Sequence, residues 1–338
     1  MTPVATTAPA RNLLKTRELG ILLALVLLVL YTTINNSRFL SGQSIRDNLL
    51  NTAILAVMAT GQAVVVITRN IDLSVGSVLG ISAFAAGTYL HGGGNPLVAV
   101  LIAVGIGVVF GALNGLLVSI GQVPALVVTL GTLYIIRGID SIWVGSREIT
   151  ANDLPGGFIT FGHDGLGPIP YLAILAVLVL VGVGYYMSNY RSGRELYALG
   201  SSPEAARLAG VQVRRRILAA YVACGALAGL AGALYLARFG NVDSGTGSGY
   251  ELTVVSAVVV GGVAFTGGSG SVYGVALGAM LLTSINSVLP SIGVSSVWVL
   301  AIDGILLLLA IAVDRVVALR VANVLRKRAA EARSAHHG

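Results

Sequence analysis

Ionisable side chains inside long apolar stretches are the residues of this sequence best placed to do chemistry. Asp303 lies about two turns into the last apolar stretch, and Arg137 and Asp140 lie three residues apart in an earlier one. That spacing puts two side chains on one helix face, so Arg137 and Asp140 could pair with each other. Buried charges usually mark a substrate or ion pathway, and Asp303 is predicted to be the one acid at depth.

Neutral polar residues in the same stretches form a second group of candidates: Asn51, Gln62, Asn114, Thr132 and Asn286. An amide or a hydroxyl can bind a substrate, but for each of these a bond between helices is the favoured interpretation. The predicted translocation pathway takes members from both groups: Asn51, Asn114, Thr132, Arg137, Asn286 and Asp303.

Motifs for catalysis and metal binding do not occur in the sequence. It contains no G-x-x-x-x-G-K-[ST], H-E-x-x-H, C-x-x-C or G-x-S-x-G. Its histidines form no metal constellation, and the single Cys224 is predicted to be a small buried residue. Glycines at 261–262 and 267–270 lack the lysine of a phosphate loop, so we interpret them as a flexible turn. No catalytic residue, metal or cofactor is expected on this chain.

The composition places the candidate residues in a membrane. Of the 338 residues, 55% are hydrophobic and 10% are charged, whereas about 25% are charged in a soluble domain. This excludes a soluble enzyme, a nucleic-acid binder and a disordered linker. The sequence predicts an all-α integral membrane protein with about ten transmembrane helices. The apolar stretches lie at 19–30, 49–68, 75–90, 97–120, 124–143, 170–187, 217–238, 251–263, 272–289 and 297–313.

The stretches at 75–90 and 251–263 are the weakest spans. Short or glycine-rich helices are tolerated at membrane depth only where protein surrounds them. The first stretch follows basic residues but precedes no small-x-small cleavage site, so it is predicted to be a retained span. The predicted organisation is a disordered cytoplasmic N-terminus (1–18), one membrane domain (19–318) and a basic cytoplasmic tail (319–338).

The distribution of basic residues predicts the orientation. With a cytoplasmic N-terminus, sixteen of the 21 Lys and Arg residues lie on the cytoplasmic side, as the positive-inside rule requires. The others are Arg38, Arg46, Arg137, Arg147 and Arg238. This asymmetry accounts for the net charge of +7 without nucleic acid, and it puts both termini in the cytoplasm.

The predicted cytoplasmic loop 188–216 contains a helix-start signal. Ser202 can cap a helix, Pro203 suits its first turn, and Glu204 complements the positive end of the dipole. Gly210 would end this helix after about two turns. Two interpretations remain open: the arginines of the loop only fix its orientation, or the helix docks a cytoplasmic partner.

Glycines spaced four apart predict one tight helix contact. Gly107, Gly111 and Gly115 lie on one face of the fourth apolar stretch. Residues without side chains let two membrane helices approach closely.

Four sequence blocks resemble one protein family. The segment Thr68-Arg-Asn-Ile-Asp-Leu-Ser-Val-Gly-Ser77, with Asp72, Ser74 and Gly76, resembles the hallmark segment of the membrane subunits of bacterial monosaccharide ABC importers, the ribose, galactose, rhamnose and autoinducer-2 type. The family's later blocks are similar to residues 123–138, 193–211 and 266–274, in the family's order. The resemblance covers roughly residues 45–313.

The resemblance implies a type II-like ABC importer permease fold in the bacterial inner membrane. It implies a two-domain ABC ATPase that holds ATP and Mg²⁺, an extracytoplasmic sugar-binding protein, and a second permease copy or paralogue. The substrate would be a pentose, a deoxyhexose such as rhamnose, or an autoinducer-2-like sugar. The residues implied to couple the permease to the ATPase are Pro203, Glu204, Ala205, Ala206, Arg207, Leu208 and Gly210.

The alternative is a secondary transporter or channel that works without an ATPase. It predicts inverted repeats and buried ionisable groups for ion coupling, and the sequence displays neither clearly. A membrane scaffold would leave the loop helix unexplained. Permeases for branched-chain amino acids or nucleosides are the nearest alternatives within ABC systems.

Overall fold

Helices form wherever the sequence has a long apolar stretch. The computed structural model describes residues 8–36, 39–291, 293–295, 298, 301–309, 311–312 and 315–316. Its helices are α1 (Ala8–Asn35), α2 (Gly42–Ile67), α3 (Val75–His91), α4 (Pro96–Ser119), α5 (Ala125–Val144), α6 (Gly156–His163), α7 (Tyr171–Asn189), α8 (Arg191–Ser201), α9 (Pro203–Leu208), α10 (Val213–Phe239), α11 (Tyr250–Val260) and α12 (Val272–Ser291). Residues 301–309 are also helical.

Strand structure among the described residues is confined to one loop. A 3-10 turn (Ala151–Asp153) precedes α6. After α6 comes a small antiparallel hairpin with two residues in each strand, β1 (Gly165–Leu166) and β2 (Ile169–Pro170). The prediction of an all-α membrane protein is confirmed in this coarse form.

In the described part of the chain, six helices are long and apolar enough to cross a membrane: α2, α4, α5, α7, α10 and α12. Shorter apolar helices are the 19–35 part of α1, α3 and α11. The two weak stretches at 75–90 and 251–263 are therefore short helices. Most of α3 and the 254–259 part of α11 are buried by other helices. This agrees with the rule that helices too short to cross the bilayer are tolerated at membrane depth where protein surrounds them.

The N-terminal prediction needs a correction. Helix α1 begins at Ala8, so residues 8–18 are helical and not disordered. Their composition explains this, because Ala, Leu, Lys, Arg and Glu are strong helix formers. Residues 1–7 and the predicted tail at 319–338 lie outside the described residues.

Helix α2 forms the centre of the bundle. Its residues from Ala53 to Ile67 are buried, and α7, α10, α11 and α12 pack around it. Helices α4 and α10 make the most extensive contact of the described pairs. A Cβ at Gly107 would lie 2.0 Å from the Gly225 carbonyl oxygen, and one at Gly111 would lie 2.4 Å from that of Tyr221. The predicted tight contact along α4 is thus confirmed, and its partner is α10.

Loops gather at two ends of the bundle. At the α6 end, Arg46 Nη2 donates to the His163 carbonyl (2.6 Å), and Arg238 pairs with Asp47 (2.6 Å). At the α8 end, the turns after α2 and α11 meet the end of α8. The predicted outer loop 144–169 lies at the α6 end, and the predicted inner loop 188–216 lies at the α8 end.

Candidate substrate cavity and coupling end

A polar cavity of about 280 Å³ opens among α2, α11, α12 and the helical residues 301–309. This volume lies just below the roughly 300–1,000 Å³ usual for small-molecule sites. The lining is mainly amide, hydroxyl and aromatic: Asn51, Leu55, Phe239, Ser248, Gly249, Tyr250, Thr253, Thr283, Asn286, Ser287 and Asp303. Three of the six residues predicted for the pathway are therefore brought together here: Asn51, Asn286 and Asp303.

Asp303 faces this cavity with one oxygen held and the other unpaired. Thr253 donates its hydroxyl to Oδ2 at 2.7 Å, while Oδ1 accepts no hydrogen bond from the described residues. The side chain is only 2% exposed. The prediction that Asp303 faces protein and not lipid is confirmed.

The two asparagines of the cavity repeat this pattern. The Oδ1 atoms of Asn51 and Asn286 are buried and accept no hydrogen bond from the described residues. Beside them, the hydroxyls of Thr52 and Thr283 are 2.6 Å apart and hold α2 to α12. Buried acceptors are normally satisfied in proteins. The unpaired oxygens can therefore accept hydrogen bonds from a ligand rich in hydroxyl groups.

Aromatic rings form one wall of the cavity. Tyr235 stands behind the wall, 4.5 Å from the ring of Phe239 and 6.2 Å from that of Tyr250 between centroids. Tyr235 packs against both rings, and Phe239 and Tyr250 present an apolar surface to the cavity. A ligand with C–H faces and hydroxyl edges would find partners for both in this cavity.

Gly76, in the hallmark segment, brings this wall close to α3. A Cβ at Gly76 would lie 2.5 Å from the Gly247 carbonyl oxygen and from Glu251 Oε2. The 247–251 segment carries Ser248, Gly249 and Tyr250 of the cavity lining. A side chain at position 76 would therefore displace the wall.

Asp72, in the same hallmark segment, corrects one expectation. After α2 the chain turns back into the bundle, and Asp72 is 1% exposed, so Asp303 is not the one acid at depth. Asp72 Oδ1 accepts from the Ser74 amide (2.9 Å) and hydroxyl (2.6 Å). Asn114 donates to Ser74 Oγ (2.9 Å) and more weakly to Asp72. Asn114 thus joins α4 to this turn and lies apart from the cavity.

A glutamine holds the same turn from the other side. The amide of Gln62, in the orientation that satisfies its hydrogen bonds, donates to the Asp72 carbonyl (3.1 Å) and accepts from the Asp72 amide (3.2 Å). Tyr221 donates its hydroxyl to the Ile71 carbonyl at 2.9 Å. Nearby Cys224 is 1% exposed, as predicted.

The predicted pair between Arg137 and Asp140 is not formed. Arg137 donates to the Thr246 carbonyl at 2.8 Å. Asp140 is buried beside Gly80 of α3, and neither carboxylate oxygen accepts a hydrogen bond from the described residues. Thr246 lies far from Arg137 in the sequence, but its carbonyl takes the place of Asp140 as the acceptor for the Arg137 guanidinium. Thr132 donates to the Thr129 carbonyl on α5 (3.3 Å), so neither Arg137 nor Thr132 lines the cavity.

The predicted loop helix is α9. Ser202 accepts a hydrogen bond from the Ala205 amide at 3.3 Å as its cap, and Gly210 follows with a φ of +81°. Ala206 is buried, whereas the side chain of Leu208 is 88% exposed. A cavity of about 540 Å³ lies between α9 and the start of α10, and it is lined by Gln122, Pro203, Glu204, Arg207, Leu208, Val213 and Arg214.

Two turns connect α8 to the bundle. Arg69 donates to the Ser201 carbonyl at 2.7 Å, and the Gly268 amide donates to the Ile67 carbonyl at 2.9 Å. Tyr197 donates to the Gly270 carbonyl at 3.2 Å. The glycines at 267–270, interpreted from the sequence as a flexible turn, are therefore packed against α8 and the end of α2.

An ion-pair cluster lies on the other side of α8. Glu195 accepts from Arg216 (2.7 Å) and Arg191 (2.9 Å). The hydrogen bond from Arg216, followed by that from Arg191, holds the pKa of Glu195 below its ordinary value.

A bundle of apolar helices around a polar cavity, with a capped helix exposed at one end, defines a multi-pass membrane transport subunit. The model of the family of permease components of the branched-chain amino acid transport system matches residues 44–311, and this chain belongs to that family. This match, together with the ribose and autoinducer 2 import permeases described next, confirms the resemblance seen in the sequence blocks.

Individual relatives match over nearly their whole length. The autoinducer 2 import system permease protein of Enterobacter sp. (strain 638) is 38% identical over 305 residues, which are 90% of this chain and 88% of that protein. The ribose import permease protein of Escherichia coli (strain K12) is 33% identical over 87% of this chain and 92% of its own length. The ribose import permease protein of Bacillus subtilis (strain 168) is 34% identical over 88% and 93%. No solved structure matches the chain.

Proposed function

We propose that this chain is the membrane-spanning subunit of an ATP-driven importer of a monosaccharide. The substrate class is a pentose, a deoxyhexose or an autoinducer-2-like sugar. Relatives named as ribose and autoinducer 2 import permeases support this assignment. The chain itself is non-catalytic, and the sugar is delivered by an extracytoplasmic binding protein.

The observation that carries the proposal is the set of unpaired acceptors in the cavity. Asn51, Asn286 and Asp303 each present a buried oxygen without a hydrogen bond from the described residues. A monosaccharide offers several hydroxyl donors and apolar C–H faces, which suit these oxygens and the wall of Phe239 and Tyr250. The sugar would pass the membrane here, in a type II-like permease of about ten spans.

The orientation follows from charge. The α8 end carries Arg69 and the six arginines of loop 188–216, against Glu195 and Glu204. The positive-inside rule places this end in the cytoplasm, and the α6 end then faces the binding protein. Both termini would be cytoplasmic, in the inner membrane of a bacterium, with a second permease copy or a paralogue completing the pathway.

Coupling to ATP hydrolysis takes place at α9 in this proposal. An exposed leucine on a capped helix suits a groove in a two-domain ATPase, and the coupling residues are those predicted from Pro203 to Gly210. Movement of α9 would reach α8, and the contacts of Arg69 and Gly268 would pass it to the turns at the ends of α2 and α11.

Leu208→Glu tests the coupling assignment. A charge on this exposed leucine should leave the permease in the membrane, lower co-purification of the ATPase and abolish sugar uptake. Burying an apolar anchor contributes more than about 1 kcal/mol at a typical interface. Leu166→Glu is the matched control, because Leu166 is 66% exposed at the opposite end. It should retain the ATPase, and normal assembly and uptake by Leu208→Glu would refute the assignment.

A second experiment separates the proposal from a transporter without an ATPase. The chain is reconstituted alone in liposomes, and uptake of pentoses and deoxyhexoses is measured under a proton gradient. No uptake is expected without the partners, and gradient-driven uptake would favour the secondary transporter.

A further inference from the structure

A second cavity, of about 270 Å³, lies between α7 and α10 near the α8 end. It differs from the substrate cavity in its lining, which is almost wholly apolar. Val64 of α2 and Leu196 of α8 contribute to it, with Val183 on α7 and Ala223 and Leu227 on α10. A sugar would find few hydrogen-bond partners here.

Small residues leave this space open. On α10 the lining residues Arg216, Ala219, Ala220, Ala223 and Leu227 recur at helical spacing and form one stripe. On α7, a Cβ added at Gly182 would meet no atom within 4 Å. Small residues normally let helices close together, but α7 and α10 both pack on α2 and leave a gap between them. Gly182 and Tyr186 of the lining are exposed, so the gap opens to the outside of the bundle and can admit a lipid chain.

The mouth of the gap is basic and aromatic. Arg216 lines it, and Arg216 and Arg191 share the carboxylate of Glu195, which leaves a net positive charge. The single carboxylate takes up only part of the five N–H donors of each guanidinium. Tyr186 lines the mouth and stacks on Tyr190 at 5.5 Å between centroids. Tyrosines cluster in this way at the level of lipid headgroups.

We propose that the α7–α10 gap binds one anionic phospholipid. An acyl chain lies along Val183, Ala219 and Ala223, and the phosphate is bound by Arg216. A methylene chain needs no polar partner, which suits the almost wholly apolar lining. Basic pockets between membrane helices on the cytoplasmic side are suited to anionic headgroups. The site extends beyond the transport function, since no part of it lines the substrate cavity.

Native mass spectrometry of the purified full-length permease tests this proposal. The protein is released from nanodiscs containing phosphatidylglycerol and phosphatidylcholine, and the retained lipids are counted. The parent should keep one phosphatidylglycerol in preference to phosphatidylcholine, and added inorganic phosphate should not displace it. Gly182→Leu and Ala223→Leu fill the gap and should abolish retention. Val181→Leu is the matched control, because Val181 lies outside the lining and is exposed.

Arg216→Gln tests the headgroup contact. It should lower the preference for phosphatidylglycerol about tenfold, as loss of a charge-assisted hydrogen bond to phosphate would. Arg214→Gln removes the same charge two residues earlier, on the opposite face of α10, beside α9 and outside the gap, and should retain the preference. Unchanged retention in both gap-filling variants would overturn the proposal. So would equal retention of the two lipids by the parent, or a shift of the gap-filling variants from dimer to monomer, which would make the gap a subunit interface.

Discussion

Asp72 and Asp303 are both buried, and each accepts a hydrogen bond from a hydroxyl group, but the two carboxylates differ in their other partners. Asp72 accepts the amide and hydroxyl of Ser74, with Asn114 beside it. Asp303 accepts one hydroxyl and directs a second, unpaired oxygen towards a cavity that contains Asn286. A carboxylate whose donors come from its own fold stabilises that fold. One that lacks a donor and also lines a cavity has capacity for a ligand, whereas Asp140, whose oxygens likewise accept no hydrogen bond from the described residues, is not part of the cavity lining.

The largest effect is expected for Asp72→Leu. The substitution leaves the Ser74 amide and hydroxyl without their acceptor and removes the weaker of the hydrogen bonds that Asn114 donates, at a cost of about 3 kcal/mol or more. Folded permease should be nearly lost, as measured by size-exclusion yield and thermal unfolding in detergent. Asp164→Leu, at an exposed position, is the control and should fold normally. Parental yield of Asp72→Leu would show that the turn after α2 does not depend on this carboxylate.

Asp303→Leu should have the reverse profile. Among the described residues, only the Thr253 hydroxyl loses a hydrogen bond to this carboxylate, so insertion and thermal unfolding should stay close to those of the parent. Sugar uptake with the complete transporter should fall at least about tenfold, because a hydrogen bond to a charged group contributes roughly 1.5–3 kcal/mol. Asp303→Asn preserves the shape and should fall less. Uptake at the parental rate by Asp303→Leu would remove this residue from the pathway.

The sequence located the helices better than it located the site. Apolar stretches of sufficient length form helices whatever surrounds them, so each predicted stretch matches a helix where the chain is described. The depth of Asp72 was missed because Arg69 and Asn70 before it are typical of an exposed loop. The return of that turn into the bundle depends on Gln62 and Tyr221, which are contacts between helices.

Grouping the polar residues required tertiary structure for the same reason. Asn51 and Asn286 are 235 positions apart in the sequence and face one cavity. Asn114 also lies within an apolar stretch, yet it bonds to the hallmark segment. Arg137 and Asp140 have the spacing of a pair, but the Thr246 carbonyl competes for the arginine. Helical spacing indicates which residues can meet, and packing decides which of them do.

Asn286 and Asn114 offer a test, with a smaller expected effect, of the same distinction between cavity and structural polar groups. Asn286→Ala removes a cavity acceptor and should weaken the apparent affinity for sugar about fivefold, equivalent to roughly 1 kcal/mol, with unchanged thermal unfolding. Asn114→Ala removes a structural donor and should lower thermal stability while the apparent affinity of the surviving protein is retained. Uptake kinetics and unfolding curves are measured on both variants. An exchange of these two profiles would contradict the assignment of both sites.

The smallest effect is expected for Glu195, an acid at the α8 end whose partners are arginines and not buried amides. Arg216 and Arg191 lower its folded-state pKa, so the carboxylate contributes stability that is fully present above its unfolded pKa, about 4.3. That contribution is lost as the pH falls from this value through the lowered folded-state pKa. Glu195→Gln should therefore unfold at a slightly lower temperature than the parent at pH 7 and pH 6, and the difference should shrink below about pH 4.3.

Because exposed ion pairs are screened by salt, the difference in unfolding temperature between Glu195→Gln and the parent at pH 7 should also diminish at high ionic strength. A buried network such as that of Asp72 would resist salt. A gap between the two unfolding temperatures that persists in acid would mean that Glu195 acts through packing and not through its charge.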